Sequence, residues 1–216
     1  MSPIYNPSVT NITENDETFF RDIGILTNDM TQLEVGRTAF PAFDSTGGTA
    51  ISITDSVAAA GAAYTGSFAA YDVSGKTKIL FFVYMHIGAS TYGCGLGFHD
   101  STTYGALTTT IKDVYQFVSY DTSAEIYKVT GAGPTWTELA KDATLGTLTT
   151  ISTSSVGMAL YADGTSVKSF GKWGSTSQWI PINTVSDSTF TNFDEVYLRF
   201  FGQSARFMTP LMLWGV

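Results

Sequence analysis

An all-β fold, built as an antiparallel sandwich, is the architecture this sequence predicts. Three observations carry that reading. From Ile79 to Trp214 short apolar runs succeed one another with almost no helical periodicity between them. Tyr161-Ala-Asp-Gly164 places a hairpin turn in the middle of that series, because glycine tolerates the positive φ such turns require. Thr and Ser are the commonest polar residues, and the branched Cβ of Thr suits the pleat of a strand.

Residues 1–45 differ from the rest of the chain. Asn6-Pro7, the acidic run Glu14-Asn-Asp-Glu17 and a scarcity of alternating runs mark an extended N-terminal arm that anchors the protein or contacts a subunit. Short strands are expected within it at Gly24 to Leu26 and Gln32 to Val35, and a short helix around Glu14 to Arg21. Phe19, Phe20 and Ile23 would pack the arm onto its own domain or onto a neighbour.

The sandwich domain is expected over residues 46–216. Ala50 to Thr54 alternates, Val57 to Ala63 is a loop or a plain strand, and Ser67 to Val73 is a strand closed by Ser74-Gly75. Ile79 to Ile87 is apolar on both faces, as in a strand covered on two sides. Leu96 to Phe98 leads into a polar loop, His99 to Thr103. Val114 to Tyr120 alternates, with Val114, Gln116 and Val118 on one face and Tyr115 and Phe117 on the other. Ile126 to Thr130 comes next, then the break Gly131-Ala-Gly-Pro134, then strands at Thr135 to Leu139 and Thr147 to Thr153.

In Val156 to Tyr161, large residues at 156, 158 and 160 alternate with Gly157 and Ala159. That pattern fits one face in the core and a close neighbour on the other. A two-residue turn at Asp163-Gly164 returns the chain through Val167 to Phe170. Residues 171–179 read as a loop exposing two tryptophans. The last strands are Glu195 to Phe201 and Arg206 to Trp214, where Pro210 marks a bulge or an edge.

Composition narrows the function. Hydrophobic residues make up 44% and charged residues 14% of the chain, far too apolar for disorder. The net charge of −8 repels a nucleic-acid backbone and an anionic lipid surface, so neither is an expected partner. A single cysteine, Cys94, excludes an intramolecular disulfide and reads as a buried small hydrophobe. Met1-Ser-Pro-Ile-Tyr-Asn has neither a basic n-region nor an apolar h-region, so cytoplasmic synthesis without a signal peptide is expected. No window reaches the ~18 apolar residues of a membrane span, so no membrane insertion is expected.

From about Phe68 onward the order of elements resembles the concanavalin-A-like, laminin-G-like jelly rolls. Three pieces carry the resemblance: Ile79 to Ile87 with a glycine-rich strand after it ending in Phe98; Val156-Gly-Met-Ala-Leu-Tyr-Ala-Asp-Gly164; and the terminal pair, Phe193 to Phe201 and the long last strand. Where such domains bind calcium, the resemblance implies acidic loop residues. Here Asp100 and Asp121 are unpaired in sequence and Met208 to Trp214 holds no acid, so no metal and no other cofactor is expected. Glycosidases of this fold resemble one another in a Glu-x-Asp-x-x-Glu strand that this chain lacks. Asp194-Glu195 are adjacent and face opposite sides of a strand, so no catalytic residues and no enzyme activity are expected.

The candidate ligand-binding residues are Trp173, Trp179, Tyr92, Tyr104, His99 and Asp100. Sugars stack on aromatic faces and form hydrogen bonds with Asn, Asp and backbone groups, and Trp136 belongs to the same aromatic inventory. The expected function is a non-enzymatic virion protein displayed on a phage particle, as a tail fibre or a head decoration. Its partners would be other virion proteins, its own copies in a trimer, and a host-surface glycan. The competing reading is a soluble lectin-like carbohydrate-binding module or a degenerate glycoside hydrolase.

Overall fold

The computed structural model describes residues 14–35, 43–45, 52–54, 57–59, 65–87, 94–105, 112–119, 123–131, 133–143, 155–173, 178–201 and 205–216. The elements are α1 (Glu14–Asp22), β1 (Thr31–Val35), β2 (Phe43–Ser45), β3 (Ser52–Thr54), β4 (Val57–Ala59), β5 (Thr65–Lys76), β6 (Ile79–Ile87), β7 (Cys94–His99), α2 (Ser101–Tyr104), β8 (Val114–Ser119), β9 (Ala124–Thr130), β10 (Thr135–Asp142), β11 (Ser155–Ala162), β12 (Ser166–Trp173), β13 (Ile180–Ser186), β14 (Phe193–Phe201) and β15 (Ala205–Gly215).

They form two antiparallel sheets. The eight-stranded sheet runs β13-β12-β11-β6-β15-β4-β3, with β1 also paired to β15. The seven-stranded sheet runs β10-β9-β8-β7-β14-β5-β2. β4 pairs along Arg206 to Met208 of β15 and β1 along Met212 to Gly215. Between them the register of β15 on β6 shifts, from Met208↔Tyr84 to Met212↔Phe82, and Pro210 sits in that irregularity as its missing N–H requires.

The core lies between the sheets. Phe81, Val83, Met158, Leu160 and Val167 of one sheet meet Leu96, Phe98, Tyr115, Phe117 and Ile126 of the other. From Ile79 to Val83, β6 is covered on both sides, as its sequence requires, and its second cover is the chain's own N-terminal segment. Phe20 of α1 with Ile25, Leu26 and Met30 packs on Leu80, Phe82, Phe170, Trp179 and Trp214, on the outward face of the eight-stranded sheet. The Phe20 ring stacks on Phe82 at 5.6 Å and meets Phe170 edge-on at 5.4 Å. Beneath α1 the Asp16 carboxylate accepts from the Trp179 indole N–H at 2.6 Å and from the Lys172 ammonium at 2.9 Å. The stretch expected to behave as an arm is therefore laid on its own sheet from residue 14 to β1. Ile23 is exposed at its turn.

Several local expectations need correction. Gly24 to Leu26 is a turn, not a strand, with Gly24 at φ 71° and the N–H groups of Ile25 and Leu26 both donating to Phe20 O. The two central residues of the β11–β12 hairpin are Gly164 and Thr165, one step later than expected. Asp163 N–H donates to Ser166 O, and the Asp163 carboxylate accepts from the N–H groups of Thr165 and Ser166. His99 to Thr103 is not a loop throughout, because Asp100 caps the short helix α2. Gly157 is small because Trp179 lies over it: a Cβ there would sit 2.8 Å from the indole. The strand expected at Thr147 to Thr153 lies outside the described residues. No helix among the described residues is long and apolar enough to cross a membrane.

Candidate functional site

Alternation in the seven-stranded sheet sends Leu96, Phe98, Tyr115, Phe117 and Ile126 inward, so their neighbours face out. The pairing places Glu195, His99, Val114, Val129 and Trp136 in one row across the outward face. Tyr197, Gly97, Gln116, Tyr127 and Glu138 form the next row by the same pairing. The middle of this face is buried. Tyr197 O–H donates to Gln116 Oε1 at 2.9 Å, and the Tyr197 ring lies over Gly97, where a Cβ would collide with it. Glycine at 97 thus lets an aromatic ring lie flat on the sheet.

The face opens at its edge strand. Trp136 of β10 is 39% exposed. Its ring meets that of Tyr127 at 5.8 Å and 79°. Tyr127 O–H donates to the Glu125 carboxylate, which also accepts from Ser123 Oγ at 2.7 Å and pairs with Lys141 Nζ at 2.6 Å. Burial alone would raise the Glu125 carboxyl, but the Lys141, Tyr127 and Ser123 donors outweigh it and hold the group below the usual range. The edge therefore presents an indole, a phenol and an ammonium, with the buried Glu125 carboxylate as their hydrogen-bonded backing.

The adjacent end of the sandwich is tied by carboxylates. Asp194 accepts from Ser101 N–H at 2.6 Å and Thr102 N–H at 2.9 Å, and from both hydroxyls. Burial would raise its pKa, and the Thr102 and Ser101 donors instead lower it. His99 spans Asp113 O at 2.9 Å and Gly105 O at 2.8 Å with its two ring nitrogens, with Glu195 3.9 Å away. Asp113, at φ 54°, accepts from Gly131 N–H. Asp187 accepts from Tyr115 O–H, from Lys128 Nζ at 2.6 Å and from Thr189 N–H. Tyr104 stands on this scaffold, edge-on to Phe190 at 5.5 Å and 36% exposed.

Acid should loosen this end. Burial acts to raise the Asp187 carboxyl, yet the hydrogen bonds from Lys128, Tyr115 and Thr189 bring it down to about 2. A depressed folded pKa gives stability that is complete above the unfolded value near 4 and is lost as pH falls toward 2. For Asp187, 12% exposed, that is about 2 kcal/mol. Urea unfolding at pH 7 and pH 3 should show the loss, and Asp187→Asn should flatten the pH dependence. An unchanged profile in the variant would show that Asp187 is not the group responsible.

The sequence-derived candidates do not converge. His99, Asp100 and Tyr104 share the tied end, but His99 and Asp100 are buried and committed to backbone groups. Trp179 is 4% exposed and belongs to the layer under α1 on the opposite sheet, so it is not an exposed loop residue. Tyr92, Asp121 and the side chains of Trp173 and Cys94 lie outside the described residues. Trp136, the most open ring among the described residues of the sheet face, stands in a strand. Its signal was the polar run Thr-Trp-Thr-Glu, in which an indole has no apolar neighbours to bury it. Among the described residues no group of three His, Cys, Asp or Glu side chains is gathered to hold a metal ion; Asp100 accepts from Thr103 N–H, and Asp194 from two N–H groups and two hydroxyls.

An all-β sandwich of two antiparallel sheets, of the concanavalin-A-like lectin kind, is the class these features define. The VIP36 exoplasmic/lumenal domain in its Ca2+-bound form is similar over 88% of this chain and 93% of its own, with a TM-score of 0.60 and 8% identity. Its Ca2+/Man2-bound form gives 0.59 at 8% identity over 88% and 90%. The CBM2 module of the evolved Dit of Lactobacillus casei BL23 phage J-1 gives 0.48 at 10% identity over 90% and 93%, and a score below 0.5 does not establish a shared fold. No family model and no curated protein matches the sequence.

Proposed function

We propose that this chain binds carbohydrate and acts by recognition without turnover, with Trp136 as the stacking surface. The observation that carries the proposal is an indole left 39% exposed on an edge strand, beside a phenol and an ammonium that the buried Glu125 carboxylate holds in place. Apolar ring faces of sugars pack on aromatic side chains, and their hydroxyls need the polar groups around them. The lectin-like fold supports the reading, since the VIP36 domain was solved in a Man2-bound form.

The test is a glycan array, with titration of the hits. Trp136→Ala should weaken binding tenfold or more, as loss of an aromatic anchor does, while leaving the melting temperature near that of the parent. Incubated glycan should keep its length. An array without hits, or full affinity in the variant, would sink the proposal, and shortened glycan would make the protein a hydrolase.

A second reading, display of the sandwich on a virion, is favoured by the composition: low charge with abundant Thr, Ser, Gly and aromatic residues. Sedimentation at low concentration separates it from the first, an obligate oligomer supporting display and a monomer opposing it.

A further inference from the structure

We infer that the ligand of this face is an extended oligosaccharide lying along β10 across Trp136, Glu138 and Lys141, and not a single terminal sugar. The inference rests on the carbohydrate reading proposed for the same face. β10 pairs with β9 as Trp136↔Val129, Glu138↔Tyr127 and Lys141↔Glu125, with a register shift between Glu138 and Ala140. Leu139 is the extra residue and packs toward the core. The bulge resets the alternation, so Lys141 returns to the outward face with Trp136 and Glu138. Unbroken alternation would have turned it inward.

The result is a line of three different groups: a ring, a carboxylate and an ammonium. Successive outward positions on a strand lie about 7 Å apart, so Trp136 and Lys141 are separated by about 14 Å. One sugar ring cannot touch both ends of that line, whereas a chain of linked rings can. The line is also backed from behind. Tyr127 stands edge-on to Trp136 and donates to Glu125, and Glu125 holds Lys141 at 2.6 Å. Across β8 and β9 a chain finds no course, because Val114, Gln116, Val118 and Val129 have no exposed surface. The exposed direction is along the edge.

The experiment uses the full chain. A glycan array graded by length identifies a sugar series, and calorimetry then titrates one to six units of that series. Affinity should rise at least tenfold from one unit to three and then level off. Trp136→Ala should weaken every length. Glu138→Ala, at an exposed position with no effect on folding, and Lys141→Ala should each weaken only the longer members. Equal affinity for one unit and six, or long-chain affinity unchanged in both Glu138→Ala and Lys141→Ala, would overturn the inference and leave carbohydrate binding standing. An array with no hits would overturn both. A sedimentation coefficient that falls in Trp136→Ala would make this edge a subunit contact and overturn the inference as well.

Discussion

Removing residues 1–30 should unfold the sandwich or drive it into aggregates; it should not yield a trimmed, soluble domain. The deletion uncovers Leu80, Phe82, Phe170, Trp179 and Trp214 together, which are buried in the intact chain. Phe82 alone contacts three aromatic rings on that side: Phe20 at 5.6 Å, Trp214 at 5.4 Å and Trp179 at 5.8 Å. An apolar face of that extent on one sheet has no stable existence in water. The loss is not only apolar. Lys172 and the Trp179 indole would each lose the Asp16 carboxylate that fixes them under α1. The single change Phe20→Ala gives a graded version, with an expected cost of about 3–5 kcal/mol. Thermal melts monitored by circular dichroism, with sedimentation to detect aggregates, read both. A deletion variant that melts within a few degrees of the parent would show that the segment is dispensable.

Gly97→Ala should be as damaging, although it adds only a methyl group. The new Cβ would lie 2.5 Å from Tyr115 O and closer still to the Tyr197 ring. The ring could swing away only by leaving Gln116, whose Oε1 accepts the Tyr197 hydroxyl proton. The carbonyl belongs to the neighbouring strand and cannot move without breaking the β7–β8 ladder. Overpacking of a dense interior costs about 1–3 kcal/mol where side chains can yield, and more where backbone is struck. The double variant Gly97→Ala/Tyr197→Ala isolates the two contacts. Tyr197→Ala should recover part of the loss and leave the backbone part. Full recovery would place the whole clash on the ring, and a stable single variant would refute the packing.

How much of this was legible in the residues varied with the range of the forces involved. Alternation in Val114 to Ser119 and the paired small and large residues of Val156 to Tyr161 are local, and both strands lie where the pattern puts them. The helix at Glu14–Asp22 was legible for the same reason. Trp179 was misread because a tryptophan after a Gly- and Ser-rich stretch has no local sign of burial. Its partner, Asp16, is 163 positions away in the chain. Asp100 did carry a local sign that favours structure over binding, since an acid before Ser-Thr-Thr is a helix N-cap. The row that ends on Trp136 could not be read at all without the strand register, and neither could the return of Lys141 to the same face, which a one-residue bulge at Leu139 decides.

Two borders of the sheets, β13 and β10, share a further property. Pro181 of β13 offers no N–H to an incoming chain, and the bulge in β10 is succeeded by a charged lysine. Neither border can be lengthened by the backbone of a neighbouring molecule without a gap in the ladder. Pairing of a second backbone along either border is therefore interrupted, which is how edge strands resist edge-to-edge association.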